Sequence, residues 1–124
     1  MANRKGGMKT YKDLIVWQKS MVFVYEIYTV TKIFPSDEKF GLSSQLRRAA
    51  ISIPSNIAEG YARKTKRDNA HFITIAFGSA TEIETQLLIS KQLSFIHDEV
   101  YISLSSLLTE ILRMLYKYRE SLYR

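Results

Sequence analysis

Leu104, Leu108, Ile111, Leu115, Tyr118 and Leu122 recur at alternating steps of four and three residues towards the end of this 124-residue chain. That spacing makes one side of an α-helix apolar and suits left-handed packing at shallow angles. Leu107, Leu112 and Met114 flank the seam and widen its apolar surface. The pattern predicts a helix over about residues 98–122, with Asp98 as a possible cap. Arg113, Lys117, Arg119 and Arg124 make its end basic, which favours the negative end of the helix dipole.

Three further segments carry helical periodicity. Over about 11–33, Leu14, Trp17, Met21, Val24 and Tyr28 form one stripe, and Val16, Phe23, Ile27 and Val30 form a second. One face can serve the core. The other needs a partner subunit, or it leaves an apolar patch exposed. Trp17 is read first as a core anchor and second as an interface residue. Phe34-Pro35-Ser36 ends this helix, and Ser36 or Asp37 can cap the next. Over about 37–61, Leu42, Leu46, Ala49, Ile53 and Ile57 form a stripe beside a polar row of mostly short hydrogen-bonding residues. Pro54 removes one backbone donor and clashes with the Ala50 carbonyl, which predicts a kink or restart. Ser52, Ser55 and Asn56 could bond the freed carbonyls, and Gly60 is placed to stop the helix.

Over about 66–93, Phe72 or Ile73, Ala76, Ala80, Ile83 and Leu87 share a face, with Thr65 as an N-cap and Asp68 completing a variant capping box. Gly78-Ser79-Ala80 are small in mid-helix, which implies another helix passing closely. Ser94 to Asp98 is a short connection. The fold class expected is all-α: an antiparallel up-down-up-down four-helix bundle over 11–124, behind a disordered basic arm over 1–10.

Arg47-Arg48-Ala49-Ala50, Ser52-Ile53 and Asn56-Ile57-Ala58-Glu59-Gly60 carry a specific resemblance. So do Leu14 to Lys19, Phe34-Pro35, Gly41-Leu42 with Gln45, Ile75-Ala76 with Gly78-Ser79, and Glu82 with Gln86-Leu87. Together, over about 11–120, they resemble the bacterial four-helix-bundle family first met as proteins encoded in intervening sequences of large-subunit ribosomal RNA genes. The accessory proteins of diversity-generating retroelements are similar in fold. The resemblance implies a closed homopentameric ring. It also implies a structural polar network of Arg47, Arg48, Ser52, Asn56, Glu59 and Glu82.

The net charge is +6 and the pI about 9.6, which favours a polyanion partner. There is no cysteine, and the two histidines, His71 and His97, lie far apart, so neither thiolate chemistry nor metal-ligand spacing is present. Glu59, Glu82 and Glu84 have no nucleophile, histidine pair or phosphate loop beside them, and the Glu-x-x-His repeat of bundle metal sites is missing. His97 and Glu99, two positions apart, are on different faces. No catalytic residue, metal ligand or cofactor site is therefore assigned. With no signal peptide and no membrane-spanning run, a cytoplasmic protein is expected.

Positive charge concentrates in three places: the N-terminal arm with Lys9 and Lys12, the loop with Arg63, Lys64, Lys66 and Arg67, and the final helix with Lys117 and Arg119. In an up-down-up-down bundle all three fall at one end. Arg47 and Arg48 lie in mid-helix and are assigned to structure. Tyr11 and Tyr61 could stack on bases, though packing is their ordinary role. The resulting expectation is a non-enzymatic oligomer that binds RNA or DNA through phosphates without reading bases. The alternative is an oligomeric scaffold that holds another protein.

Overall fold

The computed structural model describes residues 9–38 and 41–124. Four helices make up most of it: α1 (Ile15–Thr31), α2 (Leu42–Tyr61), α3 (Lys66–Gln92) and α4 (Asp98–Ser121). Each packs on its two neighbours, α1 on α2 and α4, and α3 on α2 and α4, while the diagonal pairs stay apart. Partners run in opposite order along each pair. Gln86 meets Gln45 and Ser79 meets Ser52 across α2 and α3. Asn69 meets Tyr118 and Thr74 meets Arg119 across α3 and α4. This is the expected antiparallel four-helix bundle.

The predicted stripes fill the centre. Phe23, Ile27, Leu46, Ile53, Ile57, Ile73, Ile83, Leu87, Leu108, Ile111 and Leu115 are fully buried. At roughly 1.5–3 kcal/mol for each fully buried side chain of this kind, they are the main term holding the helices together. In α1 the second stripe is the core one. Val16, Phe23 and Ile27 are buried with Ser20 and Thr31, whose hydroxyls donate to carbonyls one turn back.

Several helix ends differ from expectation for local reasons. The first helix is split. A short 3-10 turn, Tyr11–Asp13, is closed by a reciprocal Thr10–Asp13 capping box, and Leu14 is extended before α1 starts. Lys9 and Thr10 donate from the backbone to Asp13 Oδ2, so this part of the expected arm belongs to the turn. The rest of the arm lies outside the described residues. Helix α2 starts at Leu42, not near 37. Glu38 Oε1, rather than Ser36 or Asp37, accepts from the Leu42 N–H at 3.1 Å. Thr65 caps α3 as predicted, accepting from the Asp68 N–H at 3.1 Å. His97, not Asp98, stands before α4 and makes no side-chain cap. Ser94 takes φ 64° at the end of α3, and the Ser94 and Phe95 N–H groups close a Schellman turn on the Lys91 and Ser90 carbonyls.

Helix α2 runs through Pro54 without a break. Asn56 Nδ2 turns back to the Ser52 carbonyl and hydroxyl at 2.8 and 2.9 Å, not to Ala50. Gly60 does not stop the helix. It lies inside α2, buried, and Ala62 follows in ordinary right-handed geometry. Gly78 is not a close-approach site either, for a Cβ there would meet nothing within 4 Å.

Candidate nucleic-acid interface

The antiparallel order gathers the sequence-predicted cations at one end of the bundle. Tyr11 and Trp17, at the start of the chain's helical part, share a groove with Ser55 and Ala58 near the end of α2. In the first turn of α3, Lys66 Nζ donates to the Arg124 main-chain oxygen beyond α4, at 3.4 Å. Lys9, Lys12, Lys64, Lys66, Arg67 and Lys117 are exposed around that end.

Besides Lys66, two more of the predicted cations are partly engaged. Arg63 is ion-paired with Glu59 and lies over the Phe72 ring, 4.9 Å from its centroid. Arg119 lies over the Phe77 ring at 5.1 Å and donates to Thr74 Oγ1 at 3.3 Å, which draws it onto the α3–α4 flank. The two candidate stacking tyrosines are also engaged. Tyr11 meets Trp17 edge-on at 5.3 Å, and Tyr61 packs half-buried on the core.

Beneath the basic loop, Asn69 Nδ2 donates to the Tyr118 hydroxyl at 3.1 Å and ties α3 to α4. Burial raises the Tyr118 pKa above the usual 10.0, against the lowering effect of the Asn69 hydrogen bond and with a further push from Tyr61. Asn69 Oδ1 has no hydrogen-bond partner among the described residues. Gly60 explains how it fits, because any Cβ there would lie 2.6 Å from that oxygen.

The residues assigned to one polar network make separate contacts along α2 and α3. Arg47 points to α1, donating to Thr31 Oγ1 at 2.8 Å and lying 4.5 Å from the Tyr28 ring centroid. Ser52 and Asn56 join Ser79 across α2 and α3, with 2.8 Å between the two serine hydroxyls. Glu59 pairs with Arg63 at the basic end. Glu82 accepts from Gln86 Nε2 at 3.1 Å. Arg48 and Glu82 both line a cleft between α2 and α3, together with Gln45, Ala49, Ser52 and Ser79.

Sequence reasoning passed over Asn69 and Ser90, which extend the α3 stripe at steps of four and three and are buried with it. It also misjudged Trp17, which is half-buried rather than core. Trp17 lines an open groove of about 330 Å³ with Met21, Val24, Ile51 and Pro54. Among the described residues, no group of three or more His, Cys, Asp or Glu side chains could hold a metal ion. No helix of these residues is long and apolar enough to cross a membrane.

The 23S rRNA-intervening sequence protein family matches residues 12–117. The crystal structure of a protein of unknown function from the S23 ribosomal protein family of Bacteroides thetaiotaomicron VPI-5482 is similar. It has a TM-score of 0.80 and 29% sequence identity, covering 86% of this chain and 96% of that one. No curated protein matches. A family match over nearly the whole helical region, joined to a shared four-helix fold, places this chain in the 23S rRNA-intervening sequence protein family.

Proposed function

We propose that the protein is a non-enzymatic, basic, oligomeric bundle that binds RNA or DNA through phosphate contacts without reading bases. The observation that supports this reading is the meeting of the basic segments at one end. Lys66 reaches the Arg124 main-chain oxygen, and the Tyr11 turn abuts the end of α2. Exposed lysines and arginines on a loop and two helix ends can follow a phosphate backbone, and their positions alone carry no base-reading geometry.

Replacing Arg63, Lys64, Lys66 and Arg67 together by Ala tests the reading. Fluorescence anisotropy with a structured RNA and a duplex DNA should show weaker binding. The slope of log affinity against log salt should flatten by up to about 3–4 on the duplex, at about 0.9 per lost phosphate contact. Circular dichroism should show the bundle intact. Undiminished binding would remove this loop from the interface.

The second reading, an oligomeric scaffold for another protein, draws on the Trp17 groove, an open apolar surface between α1 and α2. Absence of binding beyond weak low-salt association would favour it.

A further inference from the structure

Seen down its axis, the last two turns of α4 and the residues after them expose Arg113, Tyr116, Lys117, Glu120, Tyr123 and Arg124 on one side. Tyr116 is 52% exposed and Tyr123 65%, unlike Tyr11 and Tyr61, which the packing has absorbed. Tyr116 and Tyr123 are seven residues apart, roughly 10 Å along a helical path. Lys117 and Arg124 flank them, and both line an open cleft of about 470 Å³ with Tyr116, Glu120 and Ser121. The Arg119 guanidinium lies between the Phe77 ring, at 5.1 Å, and the Tyr116 ring, at 5.8 Å. The Tyr116 ring is thus held from one side. Glu120 is the one acid in the row. The cleft adjoins the basic loop through the Lys66–Arg124 contact.

Alternating exposed rings and cations match the chemistry of unpaired nucleic acid. Each base of a single strand offers a π-face to a tyrosine while its phosphates meet the neighbouring cations. A duplex keeps its bases stacked on one another and offers no free base face to a ring. We infer that this face of α4 is a single-strand track, with Tyr116 and Tyr123 as base-stacking platforms and Lys117 and Arg124 as phosphate contacts. The inference rests on the nucleic-acid reading above and narrows its ligand to unpaired RNA or DNA.

The test is anisotropy with a labelled single-stranded oligonucleotide and a duplex of equal length. It uses the full chain and its Tyr116→Ala/Tyr123→Ala and Tyr116→Phe/Tyr123→Phe variants, each over a range of salt. The Ala pair should bind the single strand at least about tenfold more weakly, with an unchanged salt slope, because no cation is lost. Duplex binding should change by less than about twofold, since stacking on the rings plays no part in it. The Phe pair should restore single-strand affinity, because it keeps both rings. Equal single-strand binding by the wild type and the Ala pair overturns the track while leaving phosphate binding in place. So does a loss of equal size on strand and duplex. No binding of either probe by the wild type overturns the nucleic-acid reading itself, and the track with it.

Discussion

A Cβ on Gly60 would lie 2.6 Å from Asn69 Oδ1, 3.0 Å from the Asn69 carbonyl oxygen and 3.0 Å from Phe72 Cβ. One of those atoms is backbone and cannot swing aside. Gly60→Ala should therefore destabilise the bundle. Overpacking costs about 1–3 kcal/mol and outweighs the roughly 1 kcal/mol that alanine gains in a helix. Gly78 is the opposite case, exposed on α3 with open space around it. Gly78→Ala should raise stability by about 0.5–1 kcal/mol, a rise of a few degrees in Tm. Thermal melts of both variants check the pair. A fall for Gly78→Ala would mean that something packs against that face in the assembled protein. The sequence could not separate the two glycines, since each sits on a helix with the same intrinsic cost. Only the position of the neighbouring helix distinguishes them.

At the scale of the element, α1 is the helix whose first apolar stripe, with Trp17, Met21 and Val24, is left partly uncovered. Met21 is 45% exposed, Val22 54% and Tyr25 70%, beside the groove that holds Trp17. Full burial of an aromatic anchor would make Trp17→Ala cost about 3–5 kcal/mol. Partial exposure lowers that expectation to roughly 2–3 kcal/mol, because a minor part of the side chain already faces water in the folded chain. Denaturant titration at two protein concentrations measures it. A cost that grows with protein concentration would mean that a second copy covers the groove, and a cost near the fully buried value at every concentration would contradict its partly exposed place. How much of this element was legible follows from the same physics. Two stripes in α1 could be read from spacing, and so could the need for two neighbours. Which stripe faced inward could not, because Val16-Phe23-Ile27 and Trp17-Met21-Val24 are equally apolar. Pro54 shows the same limit. Its missing N–H was legible, but the continuation of α2 through it depends on the helices packed around it. The basic end was the most legible part of the candidate site, since chain order in an antiparallel bundle fixes which termini meet. Arg63 and Arg119 were legible as charges but not as side chains already engaged by Glu59, Phe72, Phe77 and Thr74.

For the whole molecule, the exposed apolar face of α1 and the basic end both bear on the proposed oligomer. A two-fold pair would bury the groove of one protomer against the same groove of the other, whereas a closed ring joins two different faces. Leu88 and Ile89 near the end of α3 and Leu93 just after it are also exposed and offer a second, different apolar patch. One apolar face on each of two helices suits heterologous contacts, and these close into a ring when the rotation between neighbours allows. In the five-membered ring that the family resemblance implies, the same end of every bundle would point the same way around the axis. Each protomer brings +6, so five bring +30. An assembly of that net charge would draw a polyanion to it, with an attraction that falls steeply with added salt. Sedimentation equilibrium should then give a mass near 72 kDa, five times the 14.4 kDa of one chain. Introducing a charge by Met21→Glu should shift it towards the single-chain mass, because an unpaired carboxylate is costly to bury in an apolar contact. A single-chain mass for the wild type at all concentrations would leave each chain to act alone with a net charge of +6 rather than +30, and its affinity at physiological salt should be correspondingly lower.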